Sequence, residues 1–268
     1  PGDVGLYSIC MMTTGMGITF LGHASLLIDM DGEQILTDPL LRKRVWHLQR
    51  QRQITDQSFL DDISAVLISH AHSDHMDFPS LRMLDQDTRI VAPRGTAQLL
   101  KKGGIHNVEE ITEGESIDIG NVLVTATHAA HDGARFRYSK PAETVGYMIE
   151  GAKRIYFAGD TDLFPEMAEL APDLDIALLP VWGWGPNLGS GHLDPHQAAQ
   201  ALKLLKPVLA IPIHWGTFFP FGLKWIMPRI LSEPPRAFAA FAKRFAPEVE
   251  VLILEPGESY QPTLPAEI

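Results

Sequence analysis

The sequence predicts an α/β fold, a four-layer αββα sandwich in which two mixed β-sheets pack face to face with helices on the outer faces. Three observations predict it. Short apolar runs bounded by tight turns recur through both halves of the chain. Helix-period patterns are few and lie beside those runs. The halves also repeat each other faintly. Leu26-Leu27-Ile28, a glycine turn and Ile35-Leu36-Thr37-Asp38 are echoed by Tyr147-Met148-Ile149, a glycine turn and Tyr156-Phe157-Ala158-Gly159-Asp160. Each hairpin ends on an aspartate, and a segment opening Asp-Ile follows at Asp62-Ile63 and at Asp175-Ile176.

In chain order, residues 18–21 and 25–30 read as strands, Asp31-Gly32 as a hairpin turn and 34–37 as the returning strand. Residues 42–57 are polar and basic, a loop or exposed helix. The β-branched run 63–69 suits a strand buried on both faces. A short helix over 79–84, a strand over 89–92 and a helix over 96–102 stopped by Gly103-Gly104 follow. Strands 116–119 and 122–127 flank the turn Gly120-Asn121, and 144–150 and 154–158 flank Gly151. Residues 176–180 form a buried strand, and Asp194-Pro195 opens a helix as N-cap and first helical residue. A strand over 208–213, a helix over 235–245 and a strand over 249–254 complete the pattern.

The 268 residues are 45% hydrophobic and 21% charged, an ordinary globular balance. Residues 1–14 lack periodicity and are set aside as an irregular tail, which leaves 15–268 as one expected domain. No apolar run approaches the ~18 residues of a membrane span, and no leader pattern opens the chain. The single cysteine, Cys10, excludes a disulfide framework and disfavours thiolate ligation, so the cytoplasm is the expected compartment. A net charge of -11 works against a phosphate backbone, so nucleic acid is not an expected partner.

The chemistry concentrates at the end of the run over 63–69. His70, His72, Asp74 and His75 place four ligand-type residues within six positions. Imidazole nitrogen and carboxylate oxygen suit zinc, manganese or iron. His70 and His72 can point the same way from an extended segment, and Asp74 and His75 can face a second ion as the chain turns. Other apolar strands also end on such residues: 122–127 runs into His128-Ala129-Ala130-His131, 154–158 into Gly159-Asp160, and 208–213 into His214. A lone histidine after a strand is more often structural. Jointly these fit one edge of one sandwich.

The pattern resembles the metallo-β-lactamase-fold hydrolases, whose HxHxDH motif is matched by His70, His72, Asp74 and His75. Within that superfamily it is similar to the branch containing N-acyl-phosphatidylethanolamine phospholipase D and the ascorbate-phosphate lactonases. The supporting stretches are Leu21-Gly22-His23-Ala24, Leu36-Thr37-Asp38-Pro39, Val66-Leu67-Ile68-Ser69-His70, Ala158-Gly159-Asp160-Thr161, His192-Leu193-Asp194-Pro195 and Ile213-His214-Trp215-Gly216-Thr217. The resemblance implies two divalent ions, zinc first and manganese or iron as alternatives. One would be held by His70, His72 and His131, the other by Asp74, His75 and His214, with Asp160 bridging. His131 is favoured over His128 as the third histidine because small residues lead up to it, and His128 is then a supporting neighbour. A hydroxide shared by the ions would attack the substrate, with Asp74 orienting it.

Three further residues join the candidates. His192, in a glycine-rich loop, would donate a proton to the leaving group or hold a phosphate. Asp38 would orient a ligating histidine, and His23 is a second such support; a turn residue and a core histidine are their plainer readings. The expected function is a dinuclear hydrolase of a phosphodiester, with lactone or amide hydrolysis as the alternative. An iron-dependent persulfide dioxygenase and a non-catalytic binding module are more distant. The substrate would be a small molecule or lipid-like. Trp182-Gly183-Trp184-Gly185 and the run of Phe218, Phe219, Phe221, Leu223, Trp225, Ile226 and Met227 would wall a pocket or form an interface between copies of the chain.

Overall fold

The structure, a computed structural model, describes residues 15–54, 56–133, 142–170, 172–183, 189–222 and 228–262. The first half holds β1 (Gly17–Gly22), β2 (Ser25–Met30), β3 (Glu33–Thr37), β4 (Arg44–Val45), β5 (Leu48–Arg50), β6 (Ala65–Leu67), α1 (Phe78–Leu81), β7 (Arg89–Pro93), α2 (Ala97–Lys102) and β8 (Val108–Ile111). The second holds β9 (Ser116–Ile119), β10 (Val122–His128), β11 (Val145–Glu150), β12 (Arg154–Phe157), β13 (Ile176–Pro180), α3 (Pro195–Leu205), β14 (Leu209–Ile213), β15 (Phe218–Pro220), α4 (Glu233–Phe245), β16 (Glu250–Val251) and β17 (Ser259–Tyr260).

Two seven-stranded mixed sheets result, in the orders β17-β1-β2-β3-β6-β7-β8 and β16-β14-β13-β12-β11-β10-β9. Their directions match strand for strand. Reading from β17 and from β9, three antiparallel pairings are followed by three parallel ones in both sheets. The faint repeat in the sequence is therefore a repeat of topology.

Side-chain alternation assigns the layers. In the first sheet Leu26, Ile28, Ile35, Ala65, Leu67 and Val91 face the second sheet and join one large apolar cluster with it. Their neighbours Leu27, Leu36, Val66, Ile68, Ile90 and Ala92 face outward, onto Leu81 of α1 and Leu100 of α2. The far side of the second sheet is covered by Ala198, Leu202 and Leu205 of α3 and Phe238 and Ala242 of α4. The order is helix, sheet, sheet, helix. No helix among the described residues is long and apolar enough to cross a membrane.

Local chemistry sets the helix that leads to the site. Asp194 caps α3, its carboxylate accepting from Gln197 N–H (2.7 Å) while the Gln197 side chain accepts from Asp194 N–H (3.2 Å), with Pro195 in the first turn.

Two expectations are corrected. The described residues of 42–57 form no exposed helix; β4 and β5 join β15 in a three-stranded sheet, a pairing about 170 residues distant in sequence that no local pattern announces. The final strand, expected over 249–254, is reduced to β16, because pairing with β14 stops after Leu252 N–H donates to Ala210 (3.0 Å). Of the aromatic segments, Phe218 and Phe219 are buried and Phe221 is exposed. Trp184, Gly185, Leu223, Trp225, Ile226 and Met227 lie outside the described residues, as do residues 1–14 with Cys10.

Arg50 explains how the small sheet is fixed. The side chain is buried, and its guanidinium donates to the carbonyls of Leu21 (2.8 Å), Arg42 (3.1 Å) and Leu40. It also lies over the Phe218 ring at 4.8 Å. Burial lowers its pKa to about 10, which still leaves it charged at neutral pH. A planar fork serves three carbonyls at once, which an ammonium cannot do in the same space. Arg50→Lys is therefore expected to lower unfolding free energy by about 2–3 kcal/mol, read by urea denaturation; an unchanged midpoint would contradict this role.

Candidate metal centre

Seven strand ends supply the site. β1, β3 and β6 run in one direction in the first sheet, and β10, β12, β13 and β14 share one direction in the second. Past their C-terminal ends come His23, Asp38, His70, His131, Asp160, Trp182 and His214, the edge at which α/β sheets commonly bind ligands. Backbone hydrogen bonds stitch the sheets together there: His214 N–H donates to His23 (2.7 Å) and Val145 N–H to Ser69 (3.0 Å). His23, Asp38 and His214 all have positive φ, at 58°, 32° and 64°. Such non-glycine backbones cost roughly 1–3 kcal/mol each, so the strain gathers where the ligand-type residues meet.

Two groups of donors stand side by side. The ligand-type atoms of His70, His72 and His131 lie within 4.8 Å of one another, and so do those of His23, Asp74, His75 and His214. Asp160 faces both. Its Oδ2 lies 3.2 Å from His75 Nε2 and 3.9 Å from His70 Nε2, and its Oδ1 lies 3.3 Å from His214 Nε2. His192 Nε2 is 3.5 Å from Asp160 Oδ2, and its ring stands edge-on to His131 at 4.7 Å. His23 Nε2 donates to Asp74 Oδ2 (3.0 Å), and the ring lies 3.8 Å, centre to centre, from His214.

The outward ring nitrogens fix which way each histidine faces. Nδ1 of His214 meets the Trp182 carbonyl (2.6 Å) and Nδ1 of His131 the Gly191 carbonyl (2.8 Å). A carbonyl only accepts, so both Nδ1 atoms carry the proton. Nδ1 of His75 meets Asp38 Oδ2 (2.7 Å). Asp38 also accepts from Ser69 N–H (2.7 Å) and from Ser69 Oγ (2.6 Å). Ser69 has then spent its one proton, so at 2.9 Å it accepts from His70 Nδ1. Asp38 thereby orients His75 directly and His70 through Ser69.

The inward Nε2 atoms of His70, His131 and His214 carry no proton of their own and crowd their neighbours. His70 Nε2 and His131 Nε2 flank His72 Nδ1 at 2.9 and 3.2 Å, and one proton there cannot serve both. His214 Nε2 faces Asp160 Oδ1, which is buried and accepts no hydrogen bond from the described residues. Lone pairs held this close in a buried setting fit a shared cation. Imidazole and carboxylate in this mixture match zinc, manganese and iron chemistry.

Burial lowers the pKa of His70 far below the ordinary imidazole range, of His23 to about 3 and of His131 to about 4, and it lowers His214 as well. These rings are neutral, as metal ligands must be. Burial pushes Asp74 and Asp160 upward, but the neighbouring imidazoles outweigh it and hold both well below the usual carboxylate range. His75 goes the other way: burial opposes its charge, yet Asp160, Asp38 and Asp74 raise it well above an ordinary imidazole. Metal uptake beside His75 would displace a proton.

One expected supporting residue lies elsewhere. His128 continues the row of Val122, Val124 and Ala126 past the rim of the core, where it is exposed, pairs with Glu113 (2.9 Å) and rests edge-on against Phe164. It does not reach the donor groups. Three contributors were missed: Ser69, whose place beside His70 was a usable signal, and the carbonyls of Trp182 and Gly191, which carry no residue-type signal at all. Replacing Asp38 by Asn leaves one acceptor oxygen where donors reach two, and is expected to weaken divalent-metal binding about 10–100-fold, measured by competition with a chromogenic chelator. Unchanged affinity would detach Asp38 from the centre.

Comparison with known proteins gives the family. Residues 33–215 match the β-lactamase superfamily domain. A UPF0173 metal-dependent hydrolase from Methanopyrus kandleri is 31% identical over 255 residues, covering 92% of this chain and all of the relative. Another from Rubrobacter xylanophilus is 30% identical, covering 92% and 97%. Among solved structures, the metallohydrolase Igni18 of Ignicoccus hospitalis superposes with a TM-score of 0.69 at 25% identity, over 94% of this chain and 100% of that one. A β-lactamase superfamily match over residues 33–215 and these full-length likenesses place the chain in the UPF0173 metal-dependent hydrolase family.

Proposed function

We propose that the chain is a dinuclear hydrolase of phosphodiesters. One observation carries the reading: two histidine-rich donor groups stand about a single carboxylate, with His70, His72 and His131 on one side, Asp74, His75 and His214 on the other, and Asp160 beside both. In this reading each triad holds one ion, and zinc is the first candidate, with manganese or iron as alternatives. Such a pair, when bound, lowers the pKa of a water towards neutral and stabilises the charge that develops on the substrate oxygen.

The chain's own residues do the positioning. Neutral His23 donates to Asp74 Oδ2 and so restricts how that carboxylate can turn. Asp38, Ser69 and the Trp182 and Gly191 carbonyls hold four imidazoles edge-on to the centre. His192 is partly exposed, with Nε2 towards Asp160 and a buried Nδ1 that has no hydrogen-bond partner among the described residues. It stands where a leaving group would need a proton. The phosphodiester preference is supported by the stretches around His23, Asp38, Asp160, His192 and His214, which resemble the phospholipase branch. The same branch contains lactonases, so a lactone is the second reading.

Elemental analysis of the purified protein is expected to return two divalent ions per chain. The protein should cleave a generic phosphodiester such as bis(p-nitrophenyl) phosphate, lose that activity to a chelator and regain it with zinc. His72→Ala and Asp74→Ala should each abolish turnover while circular dichroism stays unchanged. Full activity in either variant would sink the mechanism. One iron per chain would favour oxygenation, no metal a binding module, and lactone turnover alone a carbonyl substrate.

A further inference from the structure

We infer that Asp162 is the positioning residue that holds His131 and His192 against the centre, and so sets the affinity of one of the two ions; this rests on the two-ion reading above. Asp162 lies two residues beyond Asp160 and is half-buried. Its backbone fixes the approach to His131: Asp162 N–H donates to the Ala130 carbonyl (3.1 Å), and Ala130 N–H donates to Thr161 Oγ1 (2.9 Å).

The Asp162 side chain ties three segments together. Oδ1 accepts from Leu163 N–H (2.8 Å) and from Gln197 Nε2 (3.1 Å), and Oδ2 accepts from Gly191 N–H (3.3 Å). Gln197 belongs to the capping box of α3, so the carboxylate is anchored to a rigid element. Gly191 in turn offers its carbonyl to His131 Nδ1 (2.8 Å) and leads directly into His192. The helix end, Asp162, Gly191 and His131 thus form one continuous hydrogen-bonded arm.

Two features make the arm demanding of residue type. Every group that meets the Asp162 carboxylate is a donor, and donors reach both oxygens. An asparagine has one acceptor oxygen, so its amide nitrogen would face a donor whichever way it turned. Gly191 has φ of +84°, and a Cβ there would stand 2.9 Å from His131 Nδ1. Any side chain at 191 would push His131 away from its donor group. Asp38 and Ser69 serve His70 and His75, one residue in each donor group, and neither reaches His131, which is held by the Gly191 arm instead.

The test is calorimetric titration of the metal-stripped full-length chain with zinc chloride, on the wild type, Asp162→Asn and Gly191→Ala. The wild type is expected to take up two ions. In both variants one binding event should weaken about 10–100-fold while the other stays unchanged; the melting temperature of the metal-free chain should hold in Asp162→Asn and fall in Gly191→Ala, where φ of +84° strains any side chain. Two unaltered binding events in Asp162→Asn would overturn the inference. So would equal weakening of both ions together with a lowered melting temperature, which is what a purely structural residue gives. A wild type that binds fewer than two ions would instead overturn the two-ion reading, and this inference with it.

Discussion

His214 Nε2 and Asp160 Oδ1 meet at 3.3 Å in a buried setting, and neither has a proton to offer the other. The carbonyl of Trp182 takes the only hydrogen of the neutral ring, and the carboxylate is held ionised by the histidines around it. Repulsion of this kind is weak in water and costly where solvent is excluded. It is tolerable when positive charge lies between the partners. The same holds for His70 and His131, whose inward nitrogens close on His72. Most other features of this edge follow from keeping those acceptors aimed at one another.

Two topologically matching sheets achieve that aim by presenting C-terminal strand ends to a common edge. Their hairpins end on equivalent aspartates, yet the two residues have diverged in role. Asp38 directly follows β3 and turns away to accept from Ser69 and His75. Asp160 is reached through Gly159, whose φ of +59° and close approach to Ser69 carry the chain inward, so its carboxylate faces the imidazoles. One repeat thus supplies a support and the other a ligand-type group. The left-handed backbones of His23, Asp38 and His214 add strain, which the surrounding sheets and the His214–His23 backbone hydrogen bond sustain.

Much of this was legible in the sequence because strand ends advertise themselves. Apolar runs stopping at His70, Asp160 and His214 marked both the element and the residue beyond it. His131 was preferred to His128 only on the small residues that lead up to it; the direction of the chain past β10, whose last residue is His128, is what separates them. Long-range pairing was invisible: β4 and β5 are too short to show a period, and their partner β15 lies far along the chain. Arg50 lies in the polar stretch read as a loop or exposed helix, and nothing in its neighbourhood marks it as buried, because its counterparts are backbone carbonyls rather than carboxylates. Backbone acceptors leave no trace in composition, so the supports of His131 and His214 could not be read either.

The central claim is that two cations share this edge with Asp160 between them. Anomalous diffraction from crystals of the zinc-loaded protein, recorded at the zinc edge, tests it most directly. The account predicts two peaks, one among His70, His72 and His131 and the other among Asp74, His75 and His214, both in contact with Asp160. A single peak, or a peak away from these residues, would contradict it.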